Sequence, residues 1–282
     1  MRRPLGVCTP QGSQLLSNVL ETLYKLGDGY VRQEGFMVND PAGGLCTGYL
    51  RFGGDTVNAG KLLDLFCGAG MASDGYVAAG FTTTGVDVEP QPHYPYEFVQ
   101  ADAMDILNSD YPEEFDVIHT SPPCQAATTM SNRWKGHGGK ADSHVNLIPD
   151  VIRLFKTKWA HKKWVIENVR GARQFMPGAV SLRGGTFGLR VDRTRLFLSN
   201  RHLVEPLNTS AVNAVGVYGK YHDGHLLYRR ANGTEQRMAS SLQEGLDAMG
   251  VRREIPWESL TEGFPPAYTK FIGDQLRDWE TV

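Results

Sequence analysis

The sequence predicts an α/β fold with a mostly parallel sheet, and three observations support this prediction. Short apolar runs typical of buried strands recur along the chain, at residues 62–66, 81–88, 115–121, 163–169 and 193–200. Helix-compatible segments separate several of these runs, and a glycine-rich turn at 67–70 follows the first run directly. Strand, glycine turn, helix and strand in that order form a βαβ unit, which requires parallel strands.

The composition is that of a globular protein. The chain has 282 residues, of which 41% are hydrophobic and 21% charged, so it can bury a full core without covalent staples. Its four cysteines include no CxxC pair, which argues against a disulfide scaffold and a structural zinc site. The N-terminus lacks the apolar stretch of a signal peptide, and no apolar run approaches the ~18 residues of a membrane span. We therefore expect a cytoplasmic protein without a bound metal.

The charge distribution is uneven although the net charge is only −2. Residues 151–201 contain twelve Lys and Arg but only two acidic residues, Glu167 and Asp192. Such a basic block indicates a face that binds a polyanion. The alternative is a solvated helix face whose arginines pair with acidic residues elsewhere in the chain.

The sequence divides into four parts. Residues 1–60 form an N-terminal extension of unclear role, with an amphipathic helix predicted at 13–26 and a small hairpin or loops after it. Residues 61–200 carry the predicted sheet. Residues 201–255 are rich in short polar pieces and predict a small lobe with a helix at about 238–249. Residues 256–282 include a proline pair that enforces a turn before a last helix.

The glycine turn, DLFCGAG at 64–70, is the first candidate binding element. Ligands of open α/β sheets bind outside the carboxyl ends of the strands, where this turn lies. An acidic residue about 20 positions on, Asp87 or Glu89, could hold ribose hydroxyls. The turn lacks the full GxGxxG spacing, which disfavours a dinucleotide. The alternative is a tight turn that binds nothing.

Cys124 in SPPCQ (121–125) is the candidate nucleophile. Pro122 and Pro123 fix the backbone and present Cys124 rigidly at a strand end, as an activated thiol requires. The alternative is a buried structural cysteine, which does not need two preceding prolines.

Two further strand ends carry charged candidates. Glu167 in ENV is suited to general acid–base catalysis if burial raises its pKa. Arg193 and Arg195 in RTR would share one face of a strand by alternation and could bind a carbonyl, a phosphate or a carboxylate. The alternatives are an exposed acidic residue at a strand end and a pair of surface salt bridges.

The series DLFCGAG, SPPCQ, ENV and RTR, closed by IGDQL, resembles the DNA cytosine-5 methyltransferase family over about residues 61–276. The resemblance implies a Rossmann-like S-adenosylmethionine-dependent methyltransferase fold, with helices on both faces of the sheet and residues 201–255 as a target-recognition lobe. It also implies S-adenosylmethionine as cofactor, S-adenosylhomocysteine as product and double-stranded DNA as substrate. We expect a monomer in a prokaryotic or phage-infected cell, in the setting of restriction–modification.

The resemblance also implies roles for individual residues. Cys124 matches the nucleophile, Glu167 the acid that holds the base, and Arg195 the arginine that steadies the cytosine carbonyl, with Arg193 beside it. Asp87 matches the ribose-binding acid and Asp102 the acid that contacts adenine. The full set of expected cofactor-binding residues is Asp64, Phe66, Gly68, Gly70, Asp87, Val88, Asp102, Ala103, Pro122 and Asp274.

The sequence departs from the family pattern at Met71, Val191 and Asp274, where a glycine, a glutamine and an asparagine are usual. The polar, Gly-rich residues 125–146 are predicted to form a mobile lid. Two other functions stay open. One is the same chemistry on RNA or with a variant alkyl donor, and the other is a non-catalytic DNA-binding protein that retains the fold.

Overall fold

The computed structural model describes residues 35–39, 45–49, 58–123, 146–219, 226–229 and 235–277. The chain forms two units, Met1–Val57 and Asn58–Val282. In the first unit, β1 (Gly35–Asn39) pairs antiparallel with β2 (Leu45–Tyr49). The sequence analysis left open a small hairpin or loops in this region, and the structure shows the hairpin. The helix predicted at 13–26 lies outside the described residues.

The second unit is built on a seven-stranded sheet with the order β5-β4-β3-β6-β7-β9-β8. Six of these seven strands run in one direction and β9 runs in the opposite direction, so the predicted mostly parallel sheet is confirmed. The strand order reverses between β3 and β6, and such a switch point opens a crevice at the carboxyl ends of the strands. The strands are β3 (Lys61–Leu65), β4 (Thr82–Asp87), β5 (Glu97–Gln100), β6 (Val117–Thr120), β7 (Lys163–Val169), β8 (Val180–Leu182) and β9 (Arg195–Ser199).

Alternation along the central strands separates two apolar clusters. Leu63 and Ile118 belong to one cluster, whereas Leu62 and Val117 belong to the other, because successive side chains of a strand point to opposite faces. Helices cover both faces, as predicted. The helices among the described residues are α1 (Met71–Ala78), α2 (Ala103–Asn108), α3 (Ile148–Thr157), α4 (Leu242–Met249), α5 (Trp257–Glu262) and α6 (Pro266–Arg277). Of these, α2 and α3 pack in the first cluster, and α1 and α6 pack in the second.

Residues from the stretch 201–255, whose division into a small lobe stays a prediction, pack directly on the glycine turn. A third apolar cluster joins Val215, Val217 and Met238 to Ala69 and Met71. The same region contains an antiparallel hairpin of β10 (Leu226–Arg229) and β11 (Glu235–Arg237). The helix predicted from about residue 238 begins at Leu242, because the Ser241 hydroxyl caps it by accepting a hydrogen bond from the Glu244 N–H at 3.0 Å.

Most of the basic block at 151–201 is paired within the molecule. Nine of its twelve Lys and Arg side chains contact an acidic side chain or a backbone carbonyl. Lys158, for example, donates to the carbonyls of Asn108 and Ser109. Internal pairing, the alternative interpretation of the sequence, therefore describes most of the block. Across the described ranges, no helix has the length and apolar character of a membrane span.

Candidate active site

A cavity of about 620 Å³ lies at the carboxyl ends of the central strands. This volume is within the range of small-molecule sites. Seven of the predicted site residues line it: Phe66, Gly68, Asp87, Pro122, Glu167, Arg193 and Arg195. Cys124 and residues 125–145 of the predicted lid lie outside the described residues, but Pro123, the neighbour of Cys124 in the chain, lines the cavity.

The glycine turn after β3 has an unusual backbone. Phe66, Gly68 and Gly70 have φ angles of +59°, +48° and +84°, a region that only glycine adopts without strain. Among the residues that the structure describes, a Cβ atom at Gly68 would meet nothing within 4 Å, so these residues leave open space beside Gly68 in the cavity wall. A Cβ atom at Gly70 would lie 2.8 Å from Tyr94 Cδ2, so Gly70 is required for packing and not for ligand space.

Asp87 ends β4 and braces the glycine turn. Its Oδ2 accepts a hydrogen bond from the Gly68 N–H at 3.0 Å, and its Oδ1 accepts one from the Glu89 N–H at 3.1 Å. Each carboxylate oxygen keeps a second lone pair that a ligand hydroxyl could use. Glu89 also lines the cavity, so both acidic residues that the sequence proposed for ribose are available.

Asp64 does not line the cavity and instead connects β3 to α1 through a buried hydrogen bond. Its Oδ2 accepts a 2.6 Å hydrogen bond from the Ser73 hydroxyl, which also contacts the Tyr94 hydroxyl at 2.7 Å. Burial raises the pKa of Asp64 to about 7, and the nearby carboxylates of Asp87 and Asp74 add to the rise.

The other predicted cofactor residues lie outside the cavity lining. Asp102 caps α2 by accepting from the N–H groups of Met104 and Asp105 at 2.7 and 3.3 Å, and Ala103 is buried in the first turn of that helix. Asp274 lies on α6 and pairs with Lys270 at 2.9 Å. Val88 is 58% exposed at the end of β4. Cofactor contact by Val88, Asp102, Ala103 and Asp274 stays a prediction.

Glu167 is buried near the end of β7, with its Oε1 2.9 Å from Arg195 Nε. Burial raises the pKa of the Glu167 carboxyl, while the charge of Arg195, a hydrogen bond from Ser121 and the charge of Arg193 oppose the rise. The net direction is upward, so the carboxyl favours holding a proton. This is the property that the sequence analysis required of a general acid.

The two arginines are brought together differently from the prediction. Strand β9 begins at Arg195, so Arg193 precedes the strand and alternation does not align the two side chains. The Arg193 guanidinium donates to the backbone carbonyls of Val217 at 3.3 Å and of Thr261. Arg193 therefore ties this segment to α5 and the small lobe, in addition to lining the cavity.

Two positions that the sequence analysis did not assign also shape the site. The Asn168 amide donates to the Pro122 carbonyl at 3.0 Å, which ties the SPP segment to the end of β7. Arg253 joins three segments, since it donates to Asp74 Oδ2 at 3.0 Å, to the His93 carbonyl at 2.8 Å and to the Ala69 carbonyl. Asn168 could have been found from its place in ENV, but no motif marks Arg253.

Comparison with known protein families finds a match over part of the chain. Residues 60–179 match the family model for the C-5 cytosine-specific DNA methylase. The chain is 31% identical over 127 residues to the Type II methyltransferase M.NgoPII of Neisseria gonorrhoeae, an alignment that covers 41% of this chain and 35% of that protein. It is 27% identical over 135 residues to the Type II methyltransferase M.AgeI of Thalassovita gelatinovora, with coverages of 43% and 30%. The chain thus spans about a third of the length of these curated relatives.

Two solved structures are also similar. The Entamoeba histolytica methyltransferase EhMeth aligns with a TM-score of 0.48 at 11% identity, covering 79% of this chain and 99% of that one. The S. pombe Dnmt2 methyltransferase aligns with a TM-score of 0.46 at the same identity and coverages.

Proposed function

We propose that the chain transfers a methyl group from S-adenosylmethionine to C5 of cytosine in double-stranded DNA. The match of residues 60–179 to the family model for the C-5 cytosine-specific DNA methylase supports this proposal. One observation carries the proposal. A single cavity joins the glycine turn after β3, Asp87 after β4, the SPP segment after β6, and Glu167 with Arg195. Cofactor-binding and base-binding groups thus face the same space.

The residues of the cavity fit S-adenosylmethionine. Gly68 leaves open space in the wall, Asp87 offers carboxylate lone pairs to ribose hydroxyls, and Phe66 provides an aromatic surface. When bound, S-adenosylmethionine supplies an electrophilic methyl group. Asp64 and Gly70 contribute indirectly, because they support the shape of the turn.

Cys124 is the proposed nucleophile of the reaction. Its thiolate forms a bond to C6 of cytosine, and the electron pair of the C5–C6 double bond makes C5 nucleophilic. After C5 has taken the methyl group, a base removes the C5 proton, the C6–S bond breaks and the thiolate is restored. The Asn168–Pro122 hydrogen bond supports this role, since it fixes the backbone two residues before Cys124. A base paired in a duplex is out of reach, so the cytosine must flip out of the helix.

Glu167 and Arg195 hold the flipped base in this proposal. A protonated Glu167 donates to N3 and stabilises the adduct as Cys124 adds, and burial favours that protonated state. Arg195 pairs with Glu167 through Nε and can direct its remaining N–H groups to the cytosine carbonyl. Arg193, whose donors reach backbone carbonyls, acts by holding the Arg195 segment in place.

A methylation assay tests the proposal. We expect bisulfite sequencing of DNA from cells that express the chain to reveal 5-methylcytosine at one short sequence, and expect none with Cys124→Ser. A parallel assay with RNA separates the RNA alternative. DNA binding by the wild-type chain without any methylation would favour a non-catalytic binding protein and would contradict the proposal.

A further inference from the structure

The loop between β4 and β5, residues 88–96, contributes Glu89 and Gln91 to the cavity wall. Gln91 is partly buried, and among the described residues its side-chain amide makes no hydrogen bond. An amide carries two donors on its nitrogen and an acceptor on its oxygen. A polar group of this kind in a cavity wall points to a ligand that supplies the missing partners.

Tyr94 holds this loop in place. Its ring is buried against the glycine turn and β4, where a Cβ atom at Gly70 would lie 2.8 Å from Tyr94 Cδ2 and a Cβ atom at Gly85 would overlap the ring. The Tyr94 hydroxyl lies 2.7 Å from Ser73 Oγ on α1. The Tyr94 N–H donates to the Gln91 carbonyl at 3.0 Å, which closes a tight turn. The backbone of Gln91 is therefore fixed by contacts within the protein.

Two further contacts hold the same loop. The Arg253 guanidinium donates to the His93 carbonyl at 2.8 Å, and the Tyr96 hydroxyl donates to Asp74 Oδ1 at 2.9 Å. The loop is thus tied to the rest of the unit on both sides of Tyr94. Since a group on a fixed backbone loses little conformational freedom when it binds, its hydrogen bonds contribute more fully to affinity.

The order of the strands decides which part of a ligand Gln91 can reach. Strand β4 lies next to β5, whereas β3 and β6 separate it from β7, which carries Glu167. Three spacings of ~4.8 Å between neighbouring strands place the ends of β4 and β7 roughly 14 Å apart. Gln91 therefore lies in a part of the cavity distant from the groups proposed to hold cytosine.

The proposed roles of Asp87 and Glu167 determine the direction of the cofactor. In S-adenosylmethionine the ribose lies between the adenine and the sulfonium that carries the methyl group. With the ribose at Asp87 and the methyl group directed to the cytosine near Glu167, the adenine extends away from β7, towards the loop that carries Gln91. Asp102, which the resemblance assigns to adenine, caps α2 and does not line the cavity.

We propose that Gln91 is a further cofactor-binding residue, whose amide recognises the adenine of S-adenosylmethionine. This inference rests on the proposed function, from which it takes the cofactor and the ribose contact of Asp87. Adenine presents a donor, its 6-amino group, beside a ring nitrogen that accepts. A glutamine amide pairs with both at once, because its oxygen accepts and its nitrogen donates. The ionised carboxylate of Glu89 can only accept.

Calorimetric titration of the full chain with two ligands tests this assignment. The ligands are S-adenosylhomocysteine and its analogue with purine in place of adenine, which lacks the 6-amino group. We expect the wild-type chain to bind the analogue about tenfold more weakly, because the Gln91 amide oxygen loses its donor. Gln91→Ala should bind S-adenosylhomocysteine about tenfold more weakly than the wild-type chain does, and should bind both ligands with nearly equal affinity.

The ratio of the two affinities distinguishes recognition from a structural effect, because a loss of structure alone would weaken the binding of both ligands alike. Gln174→Ala is the matched control, since Gln174 is exposed and does not line the cavity. It should keep the wild-type affinities and their ratio. If Gln91→Ala discriminates between the two ligands as strongly as the wild-type chain does, the inference is overturned.

The titration also separates this inference from the proposed function. Loss of discrimination in Gln91→Ala supports the inference even if the wild-type chain methylates no DNA, in which case the proposed function alone fails. Methylation of DNA by a wild-type chain that binds the two ligands equally overturns the inference alone. If the wild-type chain binds neither ligand, both are overturned.

Discussion

Asp64 places an ionisable carboxyl where water does not reach. Burial raises its pKa to about 7, compared with 3.8 for an unburied carboxyl, and Asp87 and Asp74 add to the rise. The stability that neutral Asp64 provides is therefore fully present below about pH 4 and is lost as pH rises through 7. The rise of the Asp64 pKa from 3.8 to about 7 corresponds to at most about 4 kcal/mol in the free energy of unfolding.

We therefore predict that Asp64→Asn unfolds at higher urea concentration than the wild-type chain above pH 7, and that this advantage shrinks as the pH falls towards 4. The amide keeps an oxygen to accept from Ser73 but cannot ionise. Urea unfolding at pH 4, 7 and 9 measures the effect. Asp105→Asn, at an exposed position, is the control and should show no such dependence. A difference between Asp64→Asn and wild type that is constant over this range would refute the assignment.

Arg253 connects the segment between α4 and α5 to the start of α1 and to the glycine turn. Its guanidinium reaches Asp74, the His93 carbonyl and the Ala69 carbonyl. We predict that Arg253→Ala weakens S-adenosylmethionine binding about tenfold, because the turn loses a charge-assisted support. Arg253→Lys should recover part of the loss, since one ammonium cannot reach all three partners.

Calorimetric titration of the cofactor, with circular dichroism to confirm folding, measures the effect of Arg253. The control is Lys156→Ala, which removes an exposed cation on α3 and should leave affinity unchanged. Equal affinity of Arg253→Ala and wild type would mean that the glycine turn keeps its shape unaided.

Internal pairing limits how the basic block at residues 151–201 can contact DNA. Lys158 binds the end of α2 and Asp110, and Lys162 binds Glu113. Each phosphate that a protein neutralises adds about −0.9 to the slope of log affinity against log salt. We predict that the double variant Lys158→Ala/Lys162→Ala keeps this slope unchanged. The same variant should unfold at a lower urea concentration than the wild-type chain.

For Arg170→Ala we expect the opposite result, a change in the dependence of DNA affinity on salt. Arg170 is exposed and directly follows β7 at the edge that carries Glu167, so its removal should make the slope shallower by about 0.9. Fluorescence anisotropy with a labelled duplex between low and moderate salt measures both variants. A shallower slope for the lysine pair would show that those side chains leave their internal partners to bind phosphate.

The sequence predicted those features of the fold and of the site that depend on a local pattern of residues. Apolar runs located the strands, and the polar residues at their ends, such as Asp87 and Glu167, meet at one edge because parallel strands end together. Contacts between distant segments were not predictable: His119 and Tyr76 are 43 positions apart, and no periodicity records their contact. The alignment of Arg193 with Arg195 was explained wrongly, because strand β9 starts two residues later than its apolar pattern implied.

Cys124 is proposed to form a covalent bond to the target cytosine, and trapping on 5-fluorocytosine detects that bond. Fluorine at C5 blocks the final proton removal, so the adduct should accumulate as a denaturant-resistant protein–DNA complex that requires S-adenosylmethionine. Cys124→Ser should form none, because a hydroxyl supplies far less nucleophilic anion near neutral pH than a thiol. Cys67→Ser should keep trapping, since Cys67 is buried and burial raises the pKa of its thiol well above the usual range. Trapping that persists in Cys124→Ser, or that disappears only in Cys67→Ser, would contradict the account.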